Sequence, residues 1–257
     1  MPVSPEPSVR ANEVFLPGLM KGKVILVTGG GSGIGLGICI AFAGLGARVA
    51  VCGRTESKLK EAVGVISRAG ASEVMYMSAD VRKPDECATV VSEIDARWGK
   101  IDVLVNNAAG NFMSLAEDLS PNAFSTVIDI DLRGSFHMAL AALPLLRKAA
   151  RETNGATVIQ ISATLQYQAS PFQGHAAAAK AGIDALTRTW AAEWAEDAVR
   201  VVGIAPGPIE DTEGGPTGRV FGAAGGGRAD VRSIVPLGRF GTTDDIANAA
   251  VFLASPA

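Results

Sequence analysis

Val24-Ile25-Leu26-Val27-Thr28-Gly29-Gly30-Gly31-Ser32-Gly33-Ile34-Gly35 joins a short apolar run to a glycine-rich turn, and helix-length sequence follows. Glycines at such a junction let the backbone turn tightly, approach a pyrophosphate and aim helix N-terminal amides at its charge. The stretch predicts strand, turn and helix, with Gly29, Gly31, Ser32, Gly33, Ile34 and Gly35 against the phosphates of a dinucleotide. A glycine run alone is a weak signal; its place between strand and helix gives it weight.

The same rhythm repeats along the chain. Apolar runs at 24–27, 49–52, 74–77, 103–105, 157–161 and 199–204 alternate with helix-length segments at 34–45, 59–66, 86–98, 121–148 and 176–195. Short apolar strands separated by helices mean βαβ units, so the expected fold is α/β, a Rossmann-type doubly wound parallel sheet in one domain. Residues 21–257 form that domain. Residues 1–20, with Pro2, Pro5, Pro7 and Pro17, read as an extended arm, and the glycine-rich patch at Gly222–Gly227 reads as a mobile loop.

Composition limits what such a domain does. With 257 residues, 48% hydrophobic, and a net charge of -3, there is ample core and no field to draw in nucleic acid or an anionic membrane. No apolar run reaches the roughly 20 residues of a membrane span, and no secretory signal is visible, so no membrane insertion is expected. Cys39, Cys52 and Cys87 lack paired or metal-ligand spacing and the chain has only two histidines, so the expectation is packing thiols, no metal and an intracellular, reducing compartment. At the end of the second strand, where NAD-preferring proteins carry an acid for the ribose hydroxyls, stands Gly53-Arg54. Arginine suits a 2'-phosphate, hence NADPH; the alternative is an ordinary solvated arginine.

Ala79-Asp80-Val81, Asn106-Asn107-Ala108-Ala109-Gly110, Pro206-Gly207-Pro208-Ile209 and Lys180 follow later elements of the pattern. Together they resemble the short-chain dehydrogenase/reductase family, from about Lys21 to Ala257. The resemblance implies that Asp80 and Val81 hold the adenine, that Asn107 and Ala108 lie along the cofactor, and that Pro206, Gly207, Ile209 and Thr212 wrap the nicotinamide end. Lys180 is then expected on the nicotinamide ribose.

The departures from that family are specific. Ala176 stands four residues before Lys180 where a tyrosine is expected, Ala163 stands where a serine is expected, and Asp131 where an asparagine is expected. Tyr167 is expected to be a wall residue rather than a displaced donor; His175 is left open between a core histidine and a substrate contact. These departures, with the strings Ala108-Ala109-Gly110-Asn111-Phe112, Ser120-Pro121-Asn122-Ala123-Phe124 and Ile161-Ser162-Ala163-Thr164-Leu165, resemble the 2,4-dienoyl-CoA reductase branch, particularly the peroxisomal type.

That branch implies NADPH-dependent reduction of 2,4-dienoyl-CoA thioesters to 3-enoyl-CoA in the auxiliary β-oxidation of unsaturated fatty acids. Proton delivery is then to carbon, and Lys180 with Asp131 is expected to order the water that gives it, donors near Asn111 steadying the enolate. Asp131 alternatively reads as a helix-surface acid or a partner of Arg133. Arg54, Lys58, Arg82, Phe112, Ser120 and Asn122 are expected to border a fatty acyl-CoA substrate, although Arg54 cannot readily serve both cofactor and substrate. The competing readings are a 3-oxoacyl or other carbonyl reductase, and an inactive NADPH-binding sensor or scaffold. The resemblance further implies a homodimer or homotetramer and a peroxisomal location, otherwise a cytoplasmic one, with no C-terminal signal visible. The sequence stops at Ser255-Pro256-Ala257, before the family's last strand, and the sheet is expected without it.

Overall fold

In the computed structural model, which describes residues 9–153, 155–210, 212 and 235–256, the apolar runs become six parallel strands. These are β1 (Val24–Thr28), β2 (Arg48–Gly53), β3 (Glu73–Ser78), β4 (Val103–Asn106), β5 (Ala156–Ile161) and β6 (Val199–Ile204). Their order is β3-β2-β1-β4-β5-β6, and Leu26 of β1 lies in register with Ala50 of β2 and Leu104 of β4. Every residue of β1, β4 and β5 is buried, as strands covered by helices on both faces must be.

Alternate side chains feed two cores. Ile25 and Val27 pack with Phe42 of α2 (Gly33–Gly44), Leu59 and Ile66 of α3 (Glu56–Arg68) and Val251 of α8 (Thr243–Ala254). Val24 and Leu26 face the other way, toward Ile94 of α4 (Pro84–Trp98), Leu146 of α6 (Gly134–Thr153) and Trp190 of α7 (Gly174–Glu193). Cys39, Cys52 and Cys87 are buried within these layers, where burial pushes the Cys52 thiol up to about 12 and the Cys87 thiol up to about 11. Thiols so protonated are poor nucleophiles.

Two segments differ from the sequence reading. The 121–148 helix divides into α5 (Pro121–Ile128) and α6, joined without a break by one π-helical turn, Asp129–Arg133. The extra residue in that turn rotates Asp131 inward, to 1% exposure. Arg133 pairs with Asp129 at 2.7 Å rather than with Asp131. The extended arm is partly helical, with α1 at Ala11–Val14; Ala11 and Met20 are buried, and the Asn248 carboxamide of α8 donates to the Val9 carbonyl at 2.8 Å. Apolar Ala11 and Met20 close the end of the α2–α8 layer, so burial overrides the local proline signal. The Gly222–Gly227 patch lies outside the described residues.

Candidate active site

Where the strand order reverses between β1 and β4, the chain leaves a crevice at the carboxyl ends of the strands, the place this sheet topology reserves for ligands. It holds a cavity of about 960 Å³. One end is the glycine turn: Gly29 adopts φ +67° and Gly33 φ +53°, and Gly29, Gly31, Ser32, Gly33 and Ile34 line the cavity. Gly35 lies beneath instead, where a Cβ would sit 2.5 Å from the Gly29 carbonyl oxygen.

Thr28 and Asn107 lock this turn to the end of β4. The Thr28 hydroxyl accepts from the backbone amides of Asn107 and Ala108, each at 3.0 Å, while the Asn107 carboxamide donates to the Thr28 carbonyl at 2.9 Å and the Gly29 carbonyl at 3.3 Å. The Asn107 side chain therefore shapes the loop from behind.

Ala79, Asp80 and Val81 after β3, Gly53 and Arg54 at the end of β2 and Lys58 of α3 line the adjoining side. The Asp80 carboxylate takes the Arg82 guanidinium through Nε at 2.9 and 3.0 Å, and that guanidinium holds the carboxyl below the usual carboxylate range. With its guanidinium held there, Arg82 is absent from the lining, as are Ser120 and Asn122. Ser120 caps α5, its hydroxyl accepting from the Ala123 amide at 3.2 Å. Pro206, Gly207, Ile209 and Thr212 close the far wall. The glycine cradle, the open turn and the exposed Arg54 fit a dinucleotide bound along these walls.

At the centre Lys180 of α7 meets Asp131 of the π-helical turn. Lys180 Nζ lies 3.2 Å from Asp131 Oδ2 and donates to the Ile161 carbonyl at 3.0 Å; Asp131 Oδ1 accepts from the Gly110 amide at 2.7 Å. Both groups are nearly buried and both border the cavity. Breaking such a pair from one side leaves a buried charge without its counter-charge, a loss of about 3–5 kcal/mol. Ala163 and Ala176 border the same space, so methyl groups stand where a hydroxyl and a phenol are expected.

Asn111 and Phe112 line the cavity beside them. His175 does not: fully buried, it packs its ring against that of Phe112, centroids 4.3 Å apart. Burial pushes the imidazole below its ordinary value, against the opposing pull of the Asp131 carboxylate. Tyr167 also stands outside the wall, its hydroxyl donating to Asp184 at 2.6 Å. Asp184 accepts in addition from Ser162 and Gln166, each at 2.6 Å. Burial alone would raise its carboxyl, but these donors hold it below the usual range. This network anchors the loop after β5 to α7; only the fold brings its members together.

Gln173 was also missed by the sequence reading. It lines the cavity one turn before Ala176, and its signal is the i, i+3, i+7 spacing of Gln173, Ala176 and Lys180.

The profile of the family described as enoyl-(acyl carrier protein) reductase matches residues 29–257. A peroxisomal 2,4-dienoyl-CoA reductase from Arabidopsis thaliana is 44% identical over 93% of this chain and 80% of its own length. Among solved structures, a short chain dehydrogenase from Bacillus anthracis superposes with a TM-score of 0.78 at 40% identity, covering 92% of this chain and 90% of that one. An NADH-dependent reductase responsible for alginate metabolism superposes with a TM-score of 0.80 at 30% identity and the same coverage.

Proposed function

The chain belongs to the short-chain dehydrogenase/reductase family and is an oxidoreductase, and from that premise we propose that it reduces 2,4-dienoyl-CoA thioesters to 3-enoyl-CoA with NADPH. The observation that carries the reading is the buried Lys180–Asp131 pair facing a cavity whose walls at 163 and 176 are methyl groups. Nothing at those two positions protonates a carbonyl oxygen. A charged pair kept beside them suits proton delivery to carbon.

When bound along these walls, the nicotinamide cofactor would supply the hydride that the far end of the conjugated system takes up. Arg54, with no acid at the end of β2 to oppose it, favours the 2'-phosphate of NADPH. Gly29, Gly31, Ser32, Gly33, Ile34 and Gly35 form the phosphate turn; Asp80 and Val81 border the adenine, Asn107 and Ala108 lie along the cofactor, and Pro206, Gly207, Ile209 and Thr212 border the nicotinamide side.

As negative charge reaches the thioester oxygen, donors near Asn111 steady it. Lys180 and Asp131 order a water that gives its proton to the α carbon, and the Lys180 ammonium offsets the charge left on that water's oxygen. Phe112 offers an apolar wall to the acyl chain, and Lys58 offers a cation to the phosphates of coenzyme A, Arg54 being given to the cofactor.

Auxiliary β-oxidation of unsaturated fatty acids, a peroxisomal location and a homodimer or homotetramer belong to the same reading. Phe124 of α5 and Phe136 and Leu140 of α6 are exposed apolar groups available for subunit contact. Loss of NADPH absorbance with a medium-chain dienoyl-CoA, run beside a 3-oxoacyl-CoA, tests the reaction; silence on both despite NADPH binding would favour a sensor or scaffold.

A further inference from the structure

Two buried carboxamide atoms in the cavity wall lack a partner among the described residues: Oδ1 of Asn111 and Nε2 of Gln173. The first is an acceptor and the second a donor. Gln173 is only 3% exposed, so the orphaned N–H carries a desolvation penalty that a ligand acceptor would relieve.

Several features place Gln173 beside the reacting region. Gln173 immediately precedes α7, and Gln173, Ala176 and Lys180 follow at i, i+3 and i+7, which is one stripe of a helix; all three line the cavity. The methyl of Ala176 leaves open the volume one turn beyond Gln173. Phe172 before it is held at φ +68°, a left-handed conformation that a bulky residue rarely adopts without support. The support is visible: the Ser114 amide donates to the Phe172 carbonyl at 3.0 Å, and the rings of Phe112 and His175 pack together at a tilt, so the Asn111–Ser114 loop and the start of α7 are fixed together.

Three polar groups close to this wall are committed elsewhere. Lys180 serves Ile161 and Asp131, Asp131 is an acceptor, and the Ser162 hydroxyl donates to Asp184. We propose that Gln173 is a catalytic residue whose Nε2–H donates to the thioester carbonyl oxygen of the substrate, holding the charge that develops there in place of the missing phenol. The assignment rests on the dienoyl-thioester reading and names the donor it requires.

The test uses Gln173→Met, which keeps an unbranched side chain of similar length and removes the donor. A 2,4-dienoyl-CoA bound with NADP+, so that no hydride is available, shows its ultraviolet band moved to longer wavelength when its carbonyl is polarised. Wild type is expected to show that shift and Gln173→Met to lose it, with kcat falling on the order of 100- to 1000-fold and NADPH affinity unchanged. A Gln173→Met protein that binds NADPH normally and keeps both shift and kcat overturns the assignment, as does a wild-type complex with no shift. Should Gln173→Met not fold, Gln173→Glu, of the same shape but with an acceptor in place of the donor, is read by the same criteria. Wild type that turns over no dienoyl thioester overturns the reaction and this assignment with it, and is told apart because it fails before any substitution.

Discussion

Ala163 and Ala176 remove two hydroxyl groups from the cavity, and what remains there sets the chemistry residue by residue. Asp131→Ala is expected to lower kcat on the order of 100-fold, with NADPH affinity preserved, because the ordered water loses one of its two holders. Unchanged turnover, measured in the folded variant, would remove Asp131 from the mechanism. Arg54→Ala should weaken NADPH binding about 10- to 100-fold and leave NADH binding nearly untouched, the loss expected for a charge-assisted hydrogen bond; fluorescence titration with both cofactors checks it. His175 makes a prediction about pH. Its imidazole is held below its ordinary value, so the unfolded chain binds a proton that the folded chain refuses as pH falls from about 7 toward 5. Stability should therefore be full above that window and decline within it, by at most about 1.4 kcal/mol per pH unit from this group. Denaturant unfolding of His175→Phe, which keeps a ring against Phe112, should show a flatter slope. Lys180 and Asp131 were legible in the sequence through the family resemblance, as the retained motif lysine and the acid standing where that family has an asparagine. The sequence did not single out Gln173, since a glutamine before a helix is ordinarily a solvated residue and only its burial shows otherwise.

At the scale of elements, hydrophobic periodicity located all six strands to within a residue or so, because buried parallel strands are nearly continuous apolar runs. The π-helical turn at Asp129–Arg133 left no such trace. An extra residue in a helix depends on what packs against it, here Leu132 on α7 and Val81 on the start of α6, and neither contact is local in sequence. Gly134, at that junction, would place a Cβ 2.5 Å from Val81 Cγ2 and 3.0 Å from its Cβ. Gly134→Ala tests which effect wins. Alanine favours a helix interior by about 1 kcal/mol, whereas overpacking against a branched side chain typically costs about 1–3 kcal/mol. Net destabilisation is expected by denaturant unfolding, together with weaker cofactor binding through displaced Val81; a more stable variant would mean that Val81 yields freely. The misread arm has the same cause as the misread helix, since Ala11 and Met20 are ordered by the distant layer they cover.

Taken as a whole molecule, the chain uses a two-layered core to hold one crevice, and Lys180, Asp131, Asn111 and Gln173 all line it. The fold was legible because its signals recur at every βα unit. The site was legible only in part, because Arg82 and Ser120 carry the right chemistry for a phosphate or amide contact yet spend it on Asp80 and on capping α5. Among the described residues no helix is long and apolar enough to cross a membrane. The reaction proposed for this cavity is reduction of a conjugated thioester rather than of a ketone. The most direct measurement is NADPH consumption by the wild type and Lys180→Ala with a medium-chain 2,4-dienoyl-CoA, run beside a 3-oxoacyl-CoA. Turnover of the dienoyl substrate alone, lost in Lys180→Ala, is the predicted result. Turnover of the 3-oxoacyl substrate, or of neither despite NADPH binding, would contradict it.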